Sequence, residues 1–186
     1  MVQAAGALKG AEGEVQSETK KEKEESQSIL VSDKGVTEIS DIEKDNLSNY
    51  IDNANWINNY LRRGILDEDS PFTQENVKEI DGIDSIFLKV NPTTQDSIVY
   101  RGVVGLIFEN KRGAIFRDKG FVSTSQDKDI AKEYGKNIIA IHIPKGSKVI
   151  DIDSMKMSGL FGEEKEILLP RGSKFKIIDS HTLELL

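Results

Sequence analysis

At Asn91-Pro92 the hydrophobic period of the chain changes, and this change limits the possible folds more than any other feature. Before it, apolar residues recur at helical spacing. After it, short runs rich in β-branched and aromatic residues follow one another at 97–101, 121–124, 137–143, 148–152, 165–169, 174–178 and 182–186. Turn signals such as Pro144-Lys145-Gly146 and Pro170-Arg171-Gly172 separate them. One short helix is expected between strands, at 127–134, stopping at Gly135. Helices first and strands afterwards predict an α+β domain rather than an alternating doubly wound sheet.

Within the helical part, Ser40 and Glu43 have the capping-box spacing, in which each side chain satisfies an orphan amide of the first turn. Ile39, Ile42, Leu47, Tyr50, Ala54, Ile57 and Leu61 then form one stripe, and Gly64 is a stop. Ser70-Pro71 leads into a second helical pattern, Val77, Ile80 and Ile83, with an interruption expected around Gly82. Residues 9–28 hold ten charged side chains and only two apolar ones, Ala11 and Val15. Such a stretch buries too little surface to offset its ordering entropy. Residues 1–36 are therefore expected to form a polar, disordered tail or linker, and residues 37–186 one folded domain, as a length of 186 allows.

Several chemistries are excluded. The chain has no cysteine, which removes disulfides, thiol nucleophiles and thiolate zinc sites. Its two histidines, His142 and His181, cannot make a His-rich catalytic centre, and no metal is expected. His142 lies in an apolar strand pattern and reads as structural. The net charge of −7 is uneven: residues 29–96 carry 6 basic and 14 acidic groups, residues 97–186 carry 15 and 12. No dense basic stripe is present, so a nucleic-acid partner is not expected. The mildly basic second half can receive a compact anion such as a dinucleotide; a solvated surface with scattered lysines explains it equally well. The apolar runs 103–108 and 138–143 are too short to span a bilayer, so a soluble chain is expected. The G-x-G-x-x-G fingerprint, the glycine-rich phosphate loop and the G-x-S-x-G elbow are all missing.

Three short constellations remain. Tyr100-Arg101-Gly102 closes an apolar strand: the arginine can pair with a phosphate or carboxylate, and the glycine permits close approach to the backbone. An ordinary surface arginine explains this tripeptide alone. In Phe121-Val122-Ser123-Thr124-Ser125, alternate hydroxyls point the same way from a strand, and Ser125 can cap the following helix. A strand end plus a cap is the simpler account. In Glu164-Lys165-Glu166, a strand over 165–169 would put both carboxylates on one face, where repulsion can raise the pKa of one. A solvated acidic turn explains Glu163 easily and Glu166 poorly, since Glu166 enters a strand ahead of Ile167-Leu168-Leu169.

Together and in this order, these three constellations resemble the Arg–Ser–Glu class of ADP-ribosyltransferases, which includes bacterial binary actin-modifying toxin components and the Rho-modifying exoenzymes. The spacers Ile143-Pro144-Lys145-Gly146 and Leu168-Leu169-Pro170-Arg171-Gly172-Ser173 are similar in style. Trp56-Ile57-Asn58-Asn59-Tyr60-Leu61-Arg62 looks like the family's I-N-x-x-L-R helix, so the resemblance covers residues 37–186. It implies N-terminal helices packed on a mostly antiparallel two-sheet β core, NAD as co-substrate, no metal, and a protein acceptor. By resemblance, Arg101 holds an NAD phosphate and the Gly102 backbone meets the nicotinamide amide. Ser123 positions Glu166, which binds the nicotinamide ribose and stabilises the oxocarbenium-like centre. Asn58 and Arg62 reach the phosphates from the helix. Residues 154–164 form the acceptor loop, with Phe161 as its aromatic contact and Glu164 facing the nucleophile. Such roles suit glycosidic chemistry, in which a carboxylate stabilises positive charge at the sugar carbon as the leaving group departs. Glutamate at the first position of the pair is associated with arginine as acceptor. One departure stands out: residues 126–137 lack the F-x-x-R clamp of some relatives, and Lys128, Lys132 or Tyr134 are the available substitutes.

The expected function is mono-ADP-ribosyl transfer from NAD to a protein arginine with release of nicotinamide, in a bacterial toxin, effector or phage setting and a secreted or phage-delivered protein. An NAD glycohydrolase and a catalytically silent NAD-binding or interaction module are the alternatives. The intact arginine, serine and paired glutamates weigh against the silent module.

Overall fold

The computed structural model describes residues 38–64, 74–105, 108, 111–155 and 164–186. Helix α1 (Asp41–Arg63) begins at the expected box: Ser40 Oγ accepts the Glu43 N–H at 3.3 Å, and the Glu43 carboxylate accepts the Ser40 N–H at 2.9 Å. Gly64 closes it at φ 67°, a left-handed conformation that glycine adopts without a Cβ clash. Leu47, Tyr50 and Ile57 are buried as the stripe requires. Ile42 departs from it, being 72% exposed, and Glu43 is buried instead. The reason lies in helix α2 (Gln74–Lys89), whose Ser85 Oγ and Lys89 Nζ bond the Glu43 carboxylate at 2.7 and 2.6 Å. Burial alone would raise the Glu43 pKa, but the bonds from Lys89, Ser85 and Ser40 outweigh it and bring the value down to about 2. Helix α2 also runs through Gly82 without the expected break. A Cβ at Gly82 would stand 2.1 Å from Asn46 Nδ2 of α1, so the missing side chain serves helix packing, not helix termination.

The β part comprises β1 (Ser97–Val103), β2 (Ile115–Arg117), β3 (Val122–Ser125), β4 (Asn137–Ile143), β5 (Ile150–Asp151), β6 (Glu166–Leu169), β7 (Lys174–Ile177) and β8 (Thr182–Leu185). Helix α3 (Lys128–Glu133) lies between β3 and β4. Seven strands fall on expected runs. Strand β2, three residues long, does not, because it is too short to show an alternation. The strands form one hydrogen-bonded ladder in the order β2-β7-β8-β4-β1-β3-β6-β5, antiparallel except for β4 with β8.

This ladder cannot be flat. Strands β6 and β7 stand five places apart in it, about 24 Å at the usual strand spacing. The chain from Leu169 to Lys174 can reach only about 18 Å when fully extended. The sheet must therefore fold over, and the packing agrees. One core cluster joins Val99, Val122, Ile167 and Leu169 to Ile139, Ile141, Phe175, Leu183 and Leu185, and among the described residues no helical one enters it. The other seats Leu47, Tyr50, Ile57, Ile83, Ile86 and Phe87 of the helices on Phe121, Ile150, Ile152 and Leu168. Alternation along β6 sends Ile167 and Leu169 to the first cluster and Leu168 to the second. The α+β core with N-terminal helices on mostly antiparallel strands is thus a single ladder folded into two halves.

Candidate active site

Register places the three motifs side by side. Tyr100 of β1 is opposite Ser125 of β3, and Ser125 is opposite Glu166 of β6, so groups far apart in sequence share one row across three strands. Arg101 and Gly102, Ser123, Glu164 and Glu166, with Asn58 and Arg62 of α1, all line one cavity of about 470 Å³. Phe161, the expected acceptor contact, lies outside the described residues.

Inside the cavity Arg101 Nη1 donates to the Ser123 carbonyl at 2.8 Å. Burial pushes its pKa down and neighbouring Arg62 adds to this, while Asp118, Tyr50 and Glu166 oppose the shift. Burial pushes the Glu166 carboxyl up. A bond from Ser123 opposes this, the charges of Glu164 and Asp153 add to it, and Arg101 opposes it. Tyr50, which the sequence shows only as one more residue of the α1 stripe, belongs to the site. Its hydroxyl accepts from Asn58 Nδ2 at 3.0 Å and also bonds Ser123. Burial raises the Tyr50 pKa, while the bonds with Asn58 and Ser123 oppose the shift. Nothing in a helical stripe reveals that the tip of a buried tyrosine reaches Asn58 and Ser123.

Asn58 and Arg62 are already engaged. Asn58 Oδ1 accepts the Phe121 N–H at 2.8 Å, and Arg62 forks onto Asp118 at 2.8 and 3.1 Å. Both tie α1 to the entry of β3 while presenting an edge to the cavity. Gly102 has a packing reason of its own: a Cβ there would lie 2.0 Å from the Ala131 carbonyl oxygen and 2.7 Å from the Gly135 nitrogen. The end of α3 can rest on β1 only because that side chain is missing. Gly135 likewise fills a contact with the Val103 backbone, where a Cβ would come within 2.4 Å.

Two details of the motifs are corrected. The cap of α3 is Asp127, which accepts the Asp129 N–H at 2.9 Å. Ser125 Oγ instead accepts the Asp127 N–H at 2.9 Å and donates to the Glu164 carbonyl at 2.7 Å, fastening the glutamate motif to β3. Strand β6 begins at Glu166 rather than 165, and Lys165 has φ 49°. The two glutamates therefore share the cavity without sharing a strand. Of the three possible substitutes for the missing clamp, Tyr134 lines the cavity. Its pKa is pushed up to about 12 by partial burial, by a hydrogen bond with Glu164, and by the charges of Glu164, Glu166 and Glu133. Lys128 sits 5.9 Å over the Tyr100 ring and Lys132 pairs with Asp129.

A larger open groove of about 970 Å³ runs beside α3 past Lys128, Lys132 and His142, but it contains neither glutamate, nor Arg101, nor Ser123. The residues singled out in the three motifs gather at the smaller cavity. Among the described residues no three His, Asp or Glu side chains gather as a metal site, and no helix is long and apolar enough to cross a membrane.

A family model described as ADP-ribosyltransferase exoenzyme matches residues 18–184. Among solved structures the chain is similar to Plx2a, an ADP-ribosyltransferase toxin from Paenibacillus larvae, with 23% identity and TM-score 0.64 over 80% of this chain and 87% of that one. It is similar to the Clostridium limosum C3 exoenzyme, with 24% identity and TM-score 0.64 over 80% and 87%. It is also similar to C3stau2 from S. aureus, solved with NAD, with 20% identity and TM-score 0.61 over 78% and 85%. At such identities the likeness is one of fold. No curated protein matches the chain.

Proposed function

Because the chain belongs to the ADP-ribosyltransferase exoenzyme family, with NAD as co-substrate, we propose that it transfers ADP-ribose to a protein arginine and releases nicotinamide. The observation that carries this reading is the pair of carboxylates on one cavity: Glu166, bonded by Ser123 near Arg101, and Glu164, beside Tyr134. The cavity suits a dinucleotide. Its volume falls in the small-molecule range, and Arg62 and Arg101 offer guanidinium donors for a diphosphate. Both arginines also line an adjoining, mainly apolar cavity of about 400 Å³.

In this reading NAD supplies an activated sugar whose leaving group is neutral nicotinamide. Arg101 holds a phosphate, the Gly102 backbone meets the carboxamide, and Asn58 and Arg62 act from α1. Ser123 positions the Glu166 carboxylate, which favours positive charge at the sugar carbon as nicotinamide leaves. Glu164 receives the acceptor guanidinium and helps it lose a proton, since a free guanidinium stays protonated; by resemblance Phe161 is the aromatic contact for the acceptor. The acceptor protein is met in a toxin or effector setting.

The test is a parallel assay of nicotinamide release and of labelled product on agmatine, a small guanidinium compound, and on arginine-bearing proteins. Glu164→Gln should lower transfer roughly 10²–10³-fold, on the scale of a lost electrostatic stabiliser, while NAD hydrolysis persists. Loss of both activities together would make the two carboxylates one unit. Unchanged transfer would sink the assignment of Glu164. Wild-type nicotinamide release without transfer to any guanidinium would favour a glycohydrolase.

A further inference from the structure

Lys165 separates the two glutamates, and among the described residues it is the one non-glycine with positive φ, 49°. An L-residue there costs on the order of 1–2 kcal/mol and persists only where its surroundings over-determine it. Strand β6 does not require the conformation, since it begins one residue later. Three bonds do. The Lys165 N–H donates to Asp153 Oδ2 at 3.0 Å, its carbonyl accepts the Gln126 N–H at 3.0 Å, and its Nζ meets Asp127 Oδ2 at 2.9 Å.

These partners come from separate parts of the fold. Asp153 opens the 3₁₀ turn Asp153–Met155, twelve residues before Lys165. Asp127 caps α3, whose own C-cap is Tyr134, the neighbour of Glu164. A left-handed residue also breaks the two-residue alternation of a strand. The direction of Glu164 is therefore set by what holds Lys165, not by the pleat of β6.

We propose that Lys165 is a positioning residue for the acceptor step: by its bonds to Asp127 and Asp153 it sets Glu164 against Glu166, and so decides how the ADP-ribosyl group is divided between a guanidinium and water. This rests on the reading of Glu164 as the acceptor-side carboxylate. In either outcome the C–N bond to nicotinamide breaks and its electron pair leaves with nicotinamide. With a guanidinium, one nitrogen forms the new C–N bond and gives up a proton, which Glu164 helps to remove. With water, the oxygen forms the bond and releases a proton to solvent. The Lys165–Asp127 pair is partly exposed, and pairs of that kind contribute little energy, so the effect is a change of partition rather than loss of activity.

The experiment compares the full-length chain with Lys165→Ala, Asp127→Asn, the double variant and Lys165→Arg. Asparagine caps a helix about as well as aspartate, so Asp127→Asn removes the charge and keeps α3. Nicotinamide release is measured with and without agmatine. The ratio of transfer to hydrolysis should fall roughly two- to fivefold in each single variant and no further in the double variant. Release from NAD alone should stay within about twofold, and Lys165→Arg should restore most of the ratio. An unchanged ratio, or an equal fall in both activities, overturns the proposal. If wild type shows no transfer to agmatine, the acceptor reading has failed, and Lys165 is judged by carbon-13 NMR of the glutamate carboxyls. The Glu164 signal, identified by its loss in Glu164→Gln, should respond to Glu166→Gln in wild type and not in Lys165→Ala. The same response in both would end the idea.

Discussion

Burial raises the Glu166 carboxyl above the ordinary glutamate range, against the bond from Ser123, and the charges of Glu164 and Asp153 push it further. Its folded pKa thus exceeds its unfolded one. The stability linked to its proton is present below the unfolded value and is lost as pH rises through the folded value. At neutral pH the native state therefore carries a cost for keeping this group ionised, and the proposed reaction needs the ionised form. Glu166→Gln should accordingly abolish nicotinamide release while melting at a higher temperature than wild type at pH 8. The advantage should shrink as the pH falls toward 4 and wild-type Glu166 takes up its proton. Thermal melts across that range, with an assay beside them, check both halves; a melting point below wild type at pH 8 would contradict the account. Tyr50 belongs to this scale too, since its ring fills the helix–sheet core and its hydroxyl serves Ser123.

Two glycines show how one missing side chain acts differently on different elements. At Gly82 the atom in the way is Asn46 Nδ2, the end of a flexible side chain that can rotate aside. Alanine also favours an α2 interior by about 0.8–1 kcal/mol, so Gly82→Ala should leave the melting temperature almost unchanged or raise it slightly. At Gly102 the obstructing atoms are backbone, the Ala131 carbonyl and the Gly135 nitrogen, so α3 itself must move. Gly102→Ala should cost about 1–3 kcal/mol, on the scale of an overpacked core. It should also impair catalysis beyond that loss of stability, because α3 carries Tyr134 into the cavity. Denaturant midpoints and NAD turnover for both variants provide the comparison. Equal effects from the two substitutions would refute the distinction.

For the whole molecule, folding the ladder over is what creates the site. It leaves one face of β3 and β6 against the far strands and the other against the helices, with Arg101, Ser123 and Glu166 lining the cavity where these parts meet. The helix pair contributes through long-range ties, Asn58 to Phe121 and Arg62 to Asp118, rather than through the apolar stripe alone. The polar segment 9–28 offers almost nothing to this packing by composition, with ten charged residues and two apolar ones. Removing residues 1–28 should leave melting temperature and nicotinamide release close to those of the full chain. A clear drop in either, measured side by side, would show that this segment packs on the domain.

Local rules made the elements readable. The Ser40–Glu43 box, the stop at Gly64 and seven of the eight strands among the described residues follow from capping chemistry and a two-residue period, which depend on near neighbours along the chain. The three short motifs could be read along the chain, but only their resemblance to a family, taken together and in order, gave their residues roles. Other features depend on which segments become neighbours, and periodicity records that a face is buried without recording what covers it. Strand β2 exists because β7 pairs with it, and Glu43 displaces Ile42 because Ser85 and Lys89 stand opposite. Gly82 and Gly102 are explained by Asn46 and Ala131, and the left-handed turn at Lys165 by Asp127, Gln126 and Asp153. Each of these rests on a contact between residues distant in sequence, and such contacts exist only once the strands have found their order and the ladder has closed on itself.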